Sequence, residues 1–436
     1  MRQIPGLNPF LPFDTYVPDG EPKVFGDRVY LYGSYDLFGG GYCCDRYHVF
    51  SAPLADLTDW TDHGVSFSTA DVPWSEALLY APDALYHNGT YYLFFCLSDG
   101  SEGVAESASP AGPFRNARRI TLNGAPIGGI DPSVLAAEGH IYYTWGQFHL
   151  NMAELNDDLC TLKPETFHED VLSNAPGREG FHEGSSLRRL GDRWCVVYAS
   201  EYTEAYPNHG GRPTKLDYAL SDSPYGPYRR QGTVIDNTGC DPASWNNHGS
   251  ILRAGAEWFV FYHSSSNNGE ASRRARAERL TVDEAKGVIQ QAVPTTNGFV
   301  RRLLPAHITS PVNACRFFGG AYVTQTEDGR FPAVNLTDGA GFAFSPVHFK
   351  AGEYTLTARG RVLRPTTLRI FLGEVLAAES PFVSLREGAA EAVCRFTAGE
   401  TAAPLRIETR GGEGRLCEID ELRFTEGPFP SAPQKK

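Results

Sequence analysis

The sequence predicts an all-β protein, a five-bladed β-propeller followed by a β-sandwich of jelly-roll type. Three observations carry that expectation. The 436 residues hold 45 Gly and 30 Pro beside 26 Phe, 21 Tyr and 6 Trp, so turn formers punctuate runs of strand formers. An aromatic-rich strand recurs five times at nearly even spacing. After about residue 304 the recurrence stops, and shorter strands of apolar–polar alternation take over.

The recurring strands are Arg28–Tyr35, Thr90–Leu97, His140–Gln147, Arg193–Ser200 and Glu257–Ser264. Each follows a turn glycine, and Gly26, Gly89, Gly139, Gly191 and Gly255 are separated by 63, 50, 52 and 64 residues. A third strand of each unit comes next: His48–Ala52, Val104–Ala108, Leu150–Glu154, Asp217–Ser221 and Arg276–Leu280. Two units share nearly the same loop, SPAGPF at Ser109–Phe114 and SPYGPY at Ser223–Tyr228. Units built of strands, with no helical period between them, stack as blades around an axis. The propeller is therefore expected over residues 1–304, with Pro305–Pro311 as a linker. A sandwich over 312–428 follows from Gly352–Val362, Thr367–Gly373, Ala392–Gly399 and Pro404–Arg410, and residues 429–436 form a tail.

Composition excludes several function classes. The 39 basic and 52 acidic residues leave a net charge of −13 with no run of Lys or Arg, which argues against nucleic acid or an anionic membrane as partner. No apolar run approaches the roughly 18 residues of a membrane span. The start, MRQIPGLNPFLPF, lacks the pattern of a signal peptide, and the expected location is cytoplasmic. Nine scattered cysteines with no CxxC pair indicate neither a zinc site nor a disulfide framework, and most are expected to be small buried hydrophobes.

An ionisable residue stands just upstream of each aromatic strand. Asp19, Asp83, Asp131, Glu183 and His248 precede their glycines by 7, 6, 8, 8 and 7 residues. The first strand of a blade lines the central channel, so these groups are expected to converge on one pocket. Like charges gathered there raise one another's pKa and oppose folding, which makes the convergence costly unless it is used. Any one of these aspartates alone reads more readily as a turn-forming or solvated acid, Asp131-Pro132 above all, and it is the five matches in register that favour use. Separated carboxylates at a pocket suit acetal cleavage, in which one acid protonates the leaving oxygen and another activates water on the opposite face.

With those residues in place, the sequence resembles glycoside hydrolase family 43, five-bladed propeller enzymes acting mainly on arabinose- and xylose-containing polysaccharides. The likeness covers residues 8–304 and rests on Pro18–Asp36, Tyr80–Phe95, Ile130–Val134, Phe181–Trp194 and Asn246–Leu252, taken together and in this order. It implies Asp19 as general base, Asp131 as the residue that tunes and orients the acid, and Glu183 as general acid. It implies His248 as the channel histidine that helps hold a hydrated calcium ion, with no organic cofactor, and Arg273 as a sugar contact, with Arg274 as the alternative. Two departures stand out. The base is commonly followed by proline, whereas Gly20 and Glu21 intervene here, which leaves Asp14 and Glu21 as rival bases. Tyr80 occupies the place of a tryptophan and offers both a flat face and a hydroxyl.

Asp83 and Trp74 are further candidates for substrate binding, weighed against a structural Asp and core packing, and Trp245 stands with Trp74. Asp36 is expected to bridge blades. The resemblance implies an inverting glycosidase releasing terminal arabinofuranose or xylose from oligosaccharides. An endo-arabinanase and a non-catalytic sugar-binding propeller are the alternatives. The signatures of related retaining fructan hydrolases are absent, since Ile130 precedes Asp131 and Gly184 follows Glu183. The sandwich is expected to pack on the propeller.

Overall fold

Every aromatic strand lies second in an antiparallel sheet. Blade one is β1 (Glu21–Phe25), β2 (Arg28–Tyr32), β3 (Arg46–Pro53) and β4 (Thr61–Ser68); blade two is β5 (Asp83–His87), β6 (Thr90–Cys96), β7 (Glu102–Ser107) and β8 (Arg115–Arg119). A small hairpin, β9 (Thr121–Leu122) and β10 (Ala125–Pro126), leads to blade three: β11 (Ser133–Ala137), β12 (His140–Trp145), β13 (His149–Glu154) and β14 (His168–Ser173). Blade four is β15 (Phe181–Leu190), β16 (Arg193–Ser200), β17 (Lys215–Ser221) and β18 (Arg229–Asp236). Blade five has three strands, β19 (Ser250–Ala254), β20 (Glu257–Ser264) and β21 (Arg274–Leu280), and the hairpin β22 (Val282–Asp283) and β23 (Val288–Ile289) follows it. These positions come from a computed structural model, which describes residues 3–204, 212–386 and 388–428. The tail expected over 429–436 lies outside the described residues. No helix among the described residues is long and apolar enough to cross a membrane.

The second strands are aromatic because they are covered on both faces, and the propeller core is divided into five clusters, one per blade junction. Tyr32, Tyr47 and Phe67 of blade one pack on Leu93, Phe95 and Phe114 of blade two. Equivalent clusters join blades two and three around Phe94 and Tyr143, three and four around Leu150 and Trp194, and four and five around Val197 and Val260. The fifth, with Phe10, Leu31 and Phe50 against Phe259 and Phe261, closes blade five onto blade one. Burial of that many large side chains is the main driving force for the ring. Blade five lacks a fourth strand, and the N-terminal segment covers its edge instead. Asn8 accepts from the Ala277 N–H and donates to the Ala277 carbonyl, both at 2.9 Å.

The C-terminal module is one antiparallel sheet wrapped over a single core: β24 (Arg316–Phe318), β25 (Tyr322–Val323), β26 (Ala333–Leu336), β27 (Gly341–Phe349), β28 (Gly352–Val362), β29 (Thr366–Leu372), β30 (Val375–Arg386), β31 (Ala389–Ala398), β32 (Thr401–Gly411) and β33 (Cys417–Glu426). The order is β24-β27-β32-β29-β30-β31-β28-β33-β26-β25, with the long β30 passing from one face to the other. The alternation read in the sequence is the burial pattern itself, since Tyr354, Leu356 and Ala358 of β28 point inward beside Ala392, Cys394 and Phe396 of β31. The segment expected as a linker is packed, with Ile308 and Val312 buried in this core. The module docks on blade five, where Phe317 N–H donates to Gly239 O at 2.9 Å and Arg276 reaches Ala314 O at 3.1 Å. All nine cysteines are free thiols, eight of them buried.

Candidate active site

A cavity of about 220 Å³ opens at one end of the propeller axis, lined by residues of all five blades. Asp19, Tyr80, Asp131, Glu183, His248 and Arg273 line it, together with Tyr42, Cys43, Ala81, Ile130, Gln147, His182, Trp245 and Asn246. It is smaller than the roughly 300–1,000 Å³ clefts that take drug-sized ligands, and is of a size for one small ring.

Local backbone explains why these acids reach the cavity. Asp19 and Asp131 each sit two residues ahead of β1 and β11 rather than within the strands, where the sequence places them, and both adopt left-handed backbone, φ 59° and 57°. That conformation is uncommon outside glycine and is tolerated best by Asp and Asn. It turns each side chain out of the strand's alternation and over the channel mouth. Glu183 lies within β15, where the pairing with β16 slips on either side of it. Such a bulge re-aims a side chain. Gly184 must be glycine: its φ is 66°, and a Cβ there would meet the His248 ring at 2.9 Å.

At the blade-one side, Arg273 forks Asp36 through Nε and Nη2, both at 2.9 Å, and turns Nη1 to Asp19 Oδ1 at 2.9 Å. Asp36 thus bridges blades five and one as expected, and also accepts from the Cys43 N–H at 2.8 Å. Burial works against the Asp19 carboxylate, yet Arg273, His248 and His263 together hold its pKa below the ordinary value. His263 is fully buried, and burial pushes it down to about 4. Its neutral ring accepts from the Asp19 N–H at Nδ1 (3.2 Å) and faces the Asn246 carbonyl with Nε2 (2.8 Å). Only the Nε2–H tautomer satisfies both partners.

At the far side, Glu183 accepts from Gln147 Nε2 at 2.7 Å and from Asn246 Nδ2. Asp131 accepts from the Gly184 N–H at 3.0 Å. Burial, then the neighbouring Glu183 and Asp19 charges, raise the Asp131 pKa well above the carboxylate range. The two carboxyls are therefore pushed in opposite directions, Asp19 down and Asp131 up. His248 stands between them, with Nδ1 3.7 Å from Asp19 and 3.8 Å from Asp131, and burial lowers its pKa.

Two expected contacts lie elsewhere. Asp83 is fully buried beneath the pocket, paired with Lys23 at 2.7 Å and accepting from the Val134 N–H. Its spacing to Gly89 is the shortest of the five, which sets it one pleat deeper, and Ala81 takes the pocket position. Trp74 packs on Phe95 at 6.0 Å and under Arg119, while Trp245 lines the cavity. Of the alternatives, Asp14 is exposed outside the pocket, Glu21 is paired with Arg188 below it, and Arg274 bonds Phe13 O and the Tyr16 hydroxyl. Gln147, Asn246, His182 and His263 escaped the sequence reading. The only signal was adjacency: Asn246 and His182 flank residues already singled out, and Gln147 ends an aromatic strand.

The hydrated calcium ion implied for His248 finds few protein oxygens free to ligate it. A hard divalent cation takes six to eight oxygens, carboxylates prominent among them. One layer below the pocket, Glu21 is paired with Arg188 and Asp83 with Lys23, both cations partly buried, beside the hydroxyls of Ser186 and Ser250. Asp19 is matched by Arg273 at 2.9 Å. No group of three or more His, Cys, Asp or Glu that could hold a metal occurs among the described residues. A calcium ion held here through His248 would take its remaining oxygen ligands from water.

Comparison with known proteins follows the same lines. The model for glycosyl hydrolases family 43 matches residues 7–286. A xylosidase/arabinosidase of Thermoclostridium stercorarium is 32% identical over 363 residues, 74% of each chain. The solved structure of a family 43 β-xylosidase/α-arabinofuranosidase from a compost metagenome, holding xylotriose in a calcium-free form, is 25% identical with a TM-score of 0.56, covering 66% of this chain and 99% of that one. An arabinoxylan arabinofuranohydrolase of Bacillus subtilis shares the fold across both modules, at 20% identity and TM-score 0.56 over 96% of this chain and 97% of the other.

Proposed function

The chain belongs to glycosyl hydrolases family 43, and we propose that it is an inverting, exo-acting glycosidase that releases terminal xylose or arabinofuranose from plant-polysaccharide oligosaccharides. The observation that carries this reading is the one-ring pocket, which Asp19 and Glu183 enter from different blades, each held by its own donors. An inverting enzyme separates its two carboxyls by roughly 6.5–9.5 Å to leave room for water.

In this mechanism the terminal ring sits over His248 with Tyr80 and Trp245 as walls. Asp19, kept ionised by Arg273, takes a proton from a water whose oxygen attacks the anomeric carbon. The bond to the leaving oxygen breaks as Glu183 gives that oxygen a proton. Asp131 accepts from the Gly184 N–H at 3.0 Å and so fixes the backbone beside Glu183 and orients the acid. Solvent then exchanges the proton on Asp19 for the one lost by Glu183.

A panel of aryl glycosides tests the substrate class. Pentosides, β-xylopyranoside and α-L-arabinofuranoside, are expected to exceed the hexosides by about tenfold or more in kcat/KM, since a cavity of about 220 Å³ suits a pentose better than a ring with an added hydroxymethyl group. Turnover of hexosides alone, or release of oligomers rather than monosaccharide from arabinan, would overturn the reading.

A further inference from the structure

We propose that Phe148 and His182, at the junction of blades three and four, form the subsite for the leaving group and bind the sugar residue next to the scissile bond. The proposal rests on the glycosidase reading, with Glu183 as the acid. In a five-membered ring, blade one lies across from the junction of blades three and four. Asp19 belongs to the former, while Gln147 and His182, which touch Glu183, belong to the latter. Water enters on the Asp19 side, so the departing sugar must leave over that junction.

Three features there suit a sugar. Of the residues lining the cavity, Gln147 alone is exposed among the described residues, which marks this side as the mouth. Next to it Phe148 stands 40% exposed, at 5.1 Å from the His182 ring and nearly perpendicular to it. Its φ is 63°, a left-handed conformation rare for a bulky residue. The backbone fixes it there, since the Phe148 N–H donates to His182 O at 2.7 Å and its carbonyl accepts from Asn174 N–H at 2.9 Å. Strain that is fixed so firmly is a pointer to use. The turn begins at Gly146, where the His149 carbonyl occupies the space of a Cβ. It sends Gln147 to the acid and Phe148 outward.

His182 supplies the polar half. Its Nδ1 is bonded to Glu201, which also accepts from Asn174 Nδ2 at 3.0 Å. With Nδ1 engaged by that carboxylate, Nε2 is left for a ligand, 3.7 Å from Glu183 Oε2 and within the cavity lining. An aromatic face beside a fixed imidazole nitrogen matches a pyranose chair, which offers a flat C–H face and equatorial hydroxyls able to donate or accept. The ligand class is thus a second pyranose, a xylose unit of the chain.

The test compares kcat/KM for a xylose-containing disaccharide with that for the methyl glycoside of the same terminal pentose. Wild type is expected to favour the disaccharide, and Phe148→Ala to lower that ratio by about tenfold, while Phe148→Tyr, which keeps the flat face, preserves it. If Phe148→Ala does not fold, Phe148→Leu reads the same ratio. An unchanged ratio in an active, folded variant overturns the subsite alone. A wild type that hydrolyses neither compound overturns the glycosidase reading and the subsite with it.

Discussion

Glu183→Ala is expected to lower kcat on a xylo- or arabino-oligosaccharide by about 10³-fold, and to lower it far less on a dinitrophenyl pentoside. General acid catalysis contributes on the order of 10²–10⁴ in rate, and its share shrinks as the leaving group departs more readily unprotonated. Ala is the informative substitution here. Both Glu183 oxygens accept from amide NH₂ groups, of Gln147 and Asn246, so Gln would set its own NH₂ against one of them and disturb the site for an unrelated reason. Measuring kcat across aryl glycosides of graded leaving-group pKa gives a steep dependence in the variant and a shallow one in wild type. Equal losses on every leaving group would remove Glu183 from the acid's role.

Asp19→Asn is expected to cost a comparable factor, about 10²–10⁴, with the opposite signature. Water must be activated whatever group departs, so the loss should be uniform across leaving groups. The charge partner makes a second reading available through pH. Arg273 touches Asp19 at 2.9 Å and is the first of the groups that pull its pKa down against the cost of burial. Because the folded pKa is lowered, wild-type Asp19 remains ionised until the pH falls below the ordinary carboxylate value. Arg273→Gln removes the guanidinium, raises the Asp19 pKa and moves the acidic limb of kcat/KM to higher pH. A limb that stays in place, or moves lower, would mean that Asp19 is not the group whose ionisation controls turnover.

Much of the fold was legible because the physics that builds it is repetitive. Each blade needs a second strand buried on both faces, and that demand put Tyr92–Leu93–Phe94–Phe95 and Trp258–Phe259–Val260–Phe261 in the sequence at matching places. The sandwich strand Gly352–Val362 was legible to the residue because one face is core and the other solvent. What was not legible depends on single torsions and single pleats. Asp131 and Asp83 look alike as Pro-flanked acids ahead of an aromatic strand. One precedes its strand on left-handed backbone and enters the pocket; the other begins its strand and is buried in an ion pair below. The difference of two residues in spacing to the turn glycine held that information, and was read as noise. Trp74 and Trp245 are likewise equivalent as loop tryptophans, and only the packing of Phe95 and Gly103 around the first separates them. The aromatic strand of blade three was expected to run through Gln147, but it ends at Trp145 because Gly146 turns the chain at φ 133°. That early ending is what delivers Gln147 to Glu183.

The stereochemistry of the first product decides the central proposal. Proton NMR of the pentose released from an aryl pentoside, followed within the first minutes before mutarotation, reports which anomer forms. A water delivered by Asp19 from the face opposite Glu183 gives the inverted sugar first, with the other anomer appearing only as mutarotation proceeds. Initial appearance of the retained anomer would mean that a carboxylate bonds to the sugar instead, and the two acids would not stand in the relation described above.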